Sequence, residues 1–177
     1  MIDDLYNARI LDFAGNIERA GRLDHPDASA TAVSRLCGSK VTVDLKMADG
    51  VVTDFAHDVK ACALGQCSSS IMARNIIGAT ADDLRALKAT MYAMLKDGGP
   101  PPTGRWADLE ILTPVRDYRG RHASVLLTFD AVVDAIDQIA VRCKGKDDYR
   151  KIATVSANHD ATIGELIAEA ISKVGAE

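Results

Sequence analysis

The residues best suited to chemistry in this chain are its cysteines. Cys37, in Leu36-Cys37-Gly38, and Cys62, in Lys60-Ala61-Cys62-Ala63-Leu64, stand 25 residues apart. A strand–turn–strand pattern lies between them, and a hairpin with its ends held together returns the chain to its start, so the two thiols can meet. Thiolates are the ligands that soft metal ions and iron–sulfur clusters select. Cys67 follows Cys62 by five residues, at an expected loop-to-helix boundary where amides and the helix dipole would favour a thiolate. The competing reading is that a free cysteine commonly serves as a small buried hydrophobe. The 25-residue interval is also not a CxxC knuckle, so spacing leaves both readings open. Ser68-Ser69-Ser70 reads as a helix start rather than a set of nucleophiles, and no Ser-His-Asp arrangement is legible. Gly98-Gly99 is not followed by Lys-Ser/Thr, so it is no phosphate loop. Asp130, Asp134 and Asp137 read as a solvated helix face.

The elements that must position these residues follow from periodicity. Residues 3–19 read as an amphipathic helix with Leu5, Ile10, Leu11, Phe13 and Ile17 along one stripe. Gly21 and Pro26 break it, and a polar stretch runs to Ser34. Val41, Val43, Leu45 and Met47 then alternate with Thr42, Asp44 and Lys46, Ala48-Asp49-Gly50 turns, and residues 51–55 return. This pattern predicts a hairpin with one buried and one wet face. A helix is expected over 68–77 with serine capping. A second, over 84–96, is capped by Thr80 with Asp82 and Asp83 in its first turn and ended by Gly98-Gly99-Pro100-Pro101-Pro102. Trp106, Leu109 and Leu112 mark a short connector, and a long helix should follow Pro114 to about Val141. Residues 144–151 are polar, and 162–174 form another amphipathic helix with Ile163, Leu166, Ile167, Ala170 and Ile171 on one side.

Composition narrows the function class. At 177 residues the chain is one domain plus at most an appendage, with 47% hydrophobic and 26% charged residues, as in ordinary globular proteins. A formal net charge of −4 gives no electrostatic case for nucleic acid or an anionic membrane. No apolar run approaches the roughly 20 residues that span a bilayer. MIDDLYNARI lacks the basic-then-apolar order of a signal peptide. The expected setting is the reducing cytoplasm, with the four cysteines as thiols or ligands rather than disulfides.

Several of these motifs together resemble the NifU-like/IscU-type iron–sulfur cluster scaffold family. They are Gly21-Arg22-Leu23, Leu36-Cys37-Gly38, the hairpin, Val59 to Leu64 and Ser68-Ser69-Ser70-Ile71-Met72. The resemblance covers about residues 3–140. The long stretch between the second and third motifs, with its extra helix and Pro-rich turn, is similar to the SufU-type branch. It implies a site built from three cysteines and an aspartate. The third cysteine falls on Ser124, in Arg121-His122-Ala123-Ser124, and the aspartate on Ser39, so only Cys37 and Cys62 stand. A neutral serine hydroxyl is a poor ligand for Zn²⁺ or iron. His122 could substitute only if it precedes the helix proper, because residues at i and i+2 do not share a helix face. Cys67 is a further candidate to complete the set.

The fold implied is α+β: a small antiparallel sheet with helices packed on one face, plus a helical C-terminal tail. The function implied is a carrier rather than an independent catalyst. It binds iron or a transient [2Fe–2S] cluster on Cys37, Cys62 and His122 and passes it to acceptor apo-proteins. A SufU-type alternative holds zinc and takes sulfur from a cysteine desulfurase on Cys37 or Cys62. A third is a degenerate member that binds partners without metal.

Residues 141–177 resemble something else. Ile152 to Asp160, then Ile163-Gly164-Glu165-Leu166-Ile167-Ala168-Glu169-Ala170 and Lys173-Val174-Gly175, are similar to the GroEL-type 60 kDa chaperonin. The fragment lacks that family's phosphate loop and catalytic aspartates, so no ATPase activity is carried over. The expected division is a scaffold domain over 1–140 and a dependent helical tail over 141–177, with Cys143 structural. The tail's apolar stripe needs a partner surface, so the alternatives are packing on the scaffold domain, homo-oligomerisation or disorder.

Overall fold

The computed structural model describes residues 6–141, 146–157 and 159–174, and the positions of Leu5 and Cys143 lie outside them. The chain divides into two compact units at residues 137/138.

The first unit is built on a three-stranded antiparallel sheet in the order β1 (Ala28–Val33), β2 (Lys40–Ala48), β3 (Val51–Lys60). Val41, Val43 and Leu45 point to the core and are fully buried. Opposite them in the register lie Ala32, Ala30 and Ala28 on one side and Val59, His57 and Phe55 on the other. The register slips between Lys46 and Met47, just before the turn. β1 falls inside the stretch read as polar loop, because Ala-Ser-Ala-Thr-Ala carries the period-two pattern in small residues of weak strand preference.

The other sheet face is not wet, contrary to expectation: Thr42 and Asp44 are buried. Arg22 folds across it, with Nε donating to Asp44 Oδ2 at 2.6 Å and Nη2 to Oδ1 at 2.9 Å. The Leu23 amide donates to the same carboxylate at 3.0 Å. The Thr31 and Thr42 hydroxyls pair at 2.9 Å. The outer edge of β3 is covered at both ends by backbone bonds, from Gly21 to the His57 carbonyl (2.9 Å) and from Val52 to the Ala79 carbonyl (2.9 Å).

The helices are α1 (Ala8–Gly15), α2 (Ala63–Asn75), α3 (Ala81–Tyr92) and α4 (Arg119–Val141). α1 is shorter than expected. The Asn7 side chain accepts from the Ile10 amide, Ile10 and Phe13 are buried, and Leu11 is exposed. α2 starts at Ala63, five residues before the serines, so Ser68, Ser69 and Ser70 are buried mid-helix and do not cap it. Ser68 donates instead to the Gly65 carbonyl at 3.1 Å. α3 has the expected start, with a reciprocal Thr80–Asp83 capping box. It continues as a π-helical turn, Ala93–Asp97, which left-handed Gly98 closes. The connector is longer than expected: a run of 3₁₀ turns, Gly104–Asp117, that buries Trp106, Leu109 and Leu112. On α4, the acids do not form a purely solvated face. Asp130 receives the Tyr92 hydroxyl at 2.9 Å and Lys88 at 3.0 Å, and Asp137 pairs with Arg85 at 2.8 Å.

The second unit holds α5 (Lys146–Ser156) and α6 (Ala161–Val174), packed on each other. Gly164 faces Thr154 so closely that a Cβ would lie 2.9 Å from the Thr154 Cα. Among the described residues of these two helices the buried hydrophobics are small, Ala153 and Ala168, while Ile152, Val155, Ile163, Leu166 and Ile167 are exposed. No described helix is long and apolar enough to cross a membrane.

Burial alone would raise the Asp44 pKa, but Arg22, Ser29 and the Leu23 amide together hold it below the usual carboxylate range. A depressed folded-state pKa gives stability that is present above the unfolded carboxylate pKa and lost as pH falls through the folded one. Arg22→Ala should therefore lower the thermal midpoint by several degrees at pH 7. The gap to the parent should narrow steadily in melts taken at pH values falling below the ordinary carboxylate range.

Candidate metal and sulfur site

The register that builds the sheet also builds the site. Lys40 opens β2 directly opposite Lys60, the last residue of β3. Residues 37–39 before one strand and 61–62 after the other are therefore brought to the same end. The loop before β2 is tied by two backbone bonds, Ser34 N–H to Ser39 O (2.8 Å) and Gly38 N–H to Ser34 O (2.9 Å). Gly38 takes the left-handed conformation this tight loop requires (φ 71°). Cys37 is left exposed at its tip. Cys62 is the N-cap residue of α2, with extended φ −67° and ψ 168° and no side-chain capping bond.

α4 supplies the third wall. The Ser124 hydroxyl lies 3.1 Å from Cys62 Sγ and 3.5 Å from the Ser39 hydroxyl. Ser39 in turn lies 3.1 Å from Cys37 Sγ. Cys37, Ser39, Ser124 and Cys62 thus form one continuous polar chain at the end of the sheet. Gly65 makes the approach possible, since a Cβ there would stand 2.7 Å from the Ser124 hydroxyl and 2.9 Å from its carbonyl. Such overpacking costs about 1–3 kcal/mol when helices must separate to relieve it.

His122 and Cys67 lie elsewhere. α4 begins at Arg119, so His122 is inside the helix, and it does not meet the condition set for reaching the Ser124 pocket. Its Nε2–H donates to the carbonyls of Val115 and Arg116 at 3.1 and 3.0 Å. Cys67 is fully buried, and burial pushes its thiol up to about 12. The thiolate expected there is thus disfavoured: the residue is well inside α2, not at its start. Among the described residues no three His, Cys, Asp or Glu side chains gather as a metal set.

Cys37 has the opposite character. The Ser34 and Ser39 hydroxyls and the Ser39 amide favour its thiolate, Arg121 adds positive charge, and together they lower its pKa. Ser34, 3.3 Å from Sγ, was not singled out from sequence. Its only signal is its place three residues before the cysteine, where a hydroxyl can reach back around a tight turn.

Comparison with known proteins now bears on this geometry. The NifU-like N terminal domain family matches residues 5–125. The chain belongs to this family. A curated relative is the iron–sulfur cluster assembly scaffold protein IscU of Thermotoga maritima. It is 26% identical over 136 residues, covering 77% of this chain and 95% of that one. The crystal structure of a nitrogen-fixing NifU-like protein (N-terminal) from Brucella abortus is 69% identical. It covers 80% of this chain and 98% of its own, with a TM-score of 0.78. A structure from Fervidobacterium islandicum AW-1, titled as a scaffold protein for the SUF system, is 20% identical. It covers 74% of this chain and 96% of its own with a TM-score of 0.69, a likeness of fold. A separate short match, to the RuBisCO large subunit-binding protein subunit alpha of Pisum sativum, is 48% identical over 48 residues. It takes in 27% of this chain and only 8% of that protein, in keeping with the chaperonin-like fragment. The NifU-like fold and its scaffold family are therefore those expected from the motifs.

The site predicts different reactivity for its thiols. Iodoacetamide should alkylate Cys37 with a pH midpoint below that of an ordinary thiol, and Cys67 only after unfolding. Ser34→Ala and Ser39→Ala should each move the Cys37 midpoint upward, as read by peptide mass mapping across a pH series.

Proposed function

We propose that this chain carries iron or a [2Fe–2S] cluster on Cys37 and Cys62 and passes it to acceptor apo-proteins. The observation that supports this reading is the convergence of the two thiols, through Ser39 and Ser124, at one mouth of the fold. The iron or cluster is cargo here. Two thiolates hold it loosely enough to leave, where a [2Fe–2S] centre retained by a protein takes four. The chain acts as a carrier.

A resident zinc ion fits less well. Such a site takes three or four ligands from Cys, His and carboxylates, and among the described residues no three of these gather. One observation still favours sulfur acceptance: Cys37 is exposed and its pKa is lowered. Its thiolate attacks the outer sulfur of a desulfurase persulfide, forming a new S–S bond on Cys37. The S–S bond of the donor breaks, and its cysteine leaves as thiolate. The cysteine desulfurase is the partner this reading requires.

Anaerobic loading with Fe²⁺ and sulfide, followed by absorption spectra and iron counts, tests the proposal. The parent and Cys67→Ala should show cluster charge-transfer bands, and Cys37→Ala and Cys62→Ala should lose them. Loading that survives loss of both Cys37 and Cys62, or no loading at all, would contradict it. The second result would leave a partner-binding module without metal.

A further inference from the structure

Two thiols leave the donor set short, and the structure places a large cleft beside the shortfall. The cleft has a volume of about 920 Å³, within the range of roughly 300–1,000 Å³ of small-molecule sites. Ser34 is the wall it shares with the cysteine loop: the residue borders the cleft, and its hydroxyl lies 3.3 Å from Cys37 Sγ. The lining includes apolar Leu95, Leu126 and Leu127, and cationic Lys96, Arg116 and Arg119.

The charges along the cleft are not equally available. Arg116 already donates to the carbonyls of Met94 (3.1 Å) and Gly99 (3.0 Å). Asp130 is taken up by Lys88 at 3.0 Å and by the Tyr92 hydroxyl at 2.9 and 3.0 Å. Lys96 stacks over the Tyr92 ring at 4.5 Å from its centroid. Among the described residues neither Lys96 nor Arg119 pairs with a carboxylate, although Asp117 also borders the cleft. The cleft therefore offers a mainly polar surface with a narrow apolar floor and two available cations, beside a pair of thiols that lacks a third soft donor.

We infer that this cleft binds a small thiol bearing carboxylates, and that its sulfur completes the donor set at Cys37 and Cys62. The inference rests on the reading of that pair as a cargo site. The carboxylates meet Lys96 and Arg119, the body lies along Leu126 and Leu127, and the sulfur reaches past Ser34 to the metal. The incoming thiol releases its proton to solvent, and its thiolate replaces a water on the metal, with no change of oxidation state. A thiolate is the donor that matches the two already present, which a carboxylate alone does not.

The test uses the full chain loaded with Co²⁺, whose thiolate charge-transfer band grows with each sulfur ligand. Titration with glutathione should raise that band saturably, and S-methylglutathione, which has no free thiol, should compete without raising it. Lys96→Ala combined with Arg119→Ala should weaken half-saturation by glutathione about tenfold or more, the loss of some 1.4 kcal/mol of charge-assisted contact. The same variant should respond to 2-mercaptoethanol, which lacks carboxylates, as the parent does. A band that glutathione leaves unchanged overturns the inference while the cargo reading stands. So does an equal response in the variant, or one metal held between two chains without added thiol. Absence of any cobalt–thiolate band before thiol is added overturns the cargo reading, and this inference with it.

Discussion

Antiparallel pairing of β2 with β3 holds Lys40 opposite Lys60, and the site depends on that pairing. It closes the hairpin, so the loop carrying Cys37 and the start of α2 at Cys62 emerge side by side. Like charges directly across a strand pair weaken a sheet. They also set two cations at the end where two thiols stand, and Arg121 adds a third near Cys37. Positive surroundings favour thiolates and whatever negatively charged assembly they hold. Exposed Arg22, held on buried Asp44, secures the same strand from the opposite face, with Asp44 directly between core Val43 and Leu45.

The second constraint is the approach of α2 to α4. Gly65 and Ser124 meet where no side chain would fit, which turns Ser124 toward Cys62 and within reach of Ser39. Ser39 and Ser124 stand where the family resemblance places two donors, and they present neutral hydroxyls there. Such hydroxyls solvate a thiolate well and bind a soft metal poorly. Ser34 first, and Ser39 with it, lower the Cys37 pKa, and no three His, Cys, Asp or Glu side chains gather among the described residues.

Much of this was legible in the sequence, for identifiable reasons. Alternation from Val41 to Met47 and the turn at Asp49-Gly50 fix the hairpin, and the hairpin alone brings Cys37 toward Cys62. The Thr80–Asp83 cap and the Pro-rich stop were equally plain. Small residues hid β1, whose alanines pack on the core without a hydrophobic signal. The wet face expected of β2 was lost to Arg22, a long-range partner that strand periodicity cannot show. The role given to Cys67 depended on where α2 begins. A start five residues earlier moved it from a helix terminus into the core, which reversed the expected direction of its pKa. His122 depended likewise on the start of α4.

In the proposed function Cys37 and Cys62 act together on one bound metal. X-ray absorption of the full chain loaded with one equivalent of Fe²⁺, without added sulfide or thiol, counts the sulfur neighbours of that iron directly. Two sulfurs at about 2.3 Å are expected, falling to one in either Cys37→Ala or Cys62→Ala. An iron with only oxygen and nitrogen neighbours, or two sulfurs that persist in both variants, would contradict it.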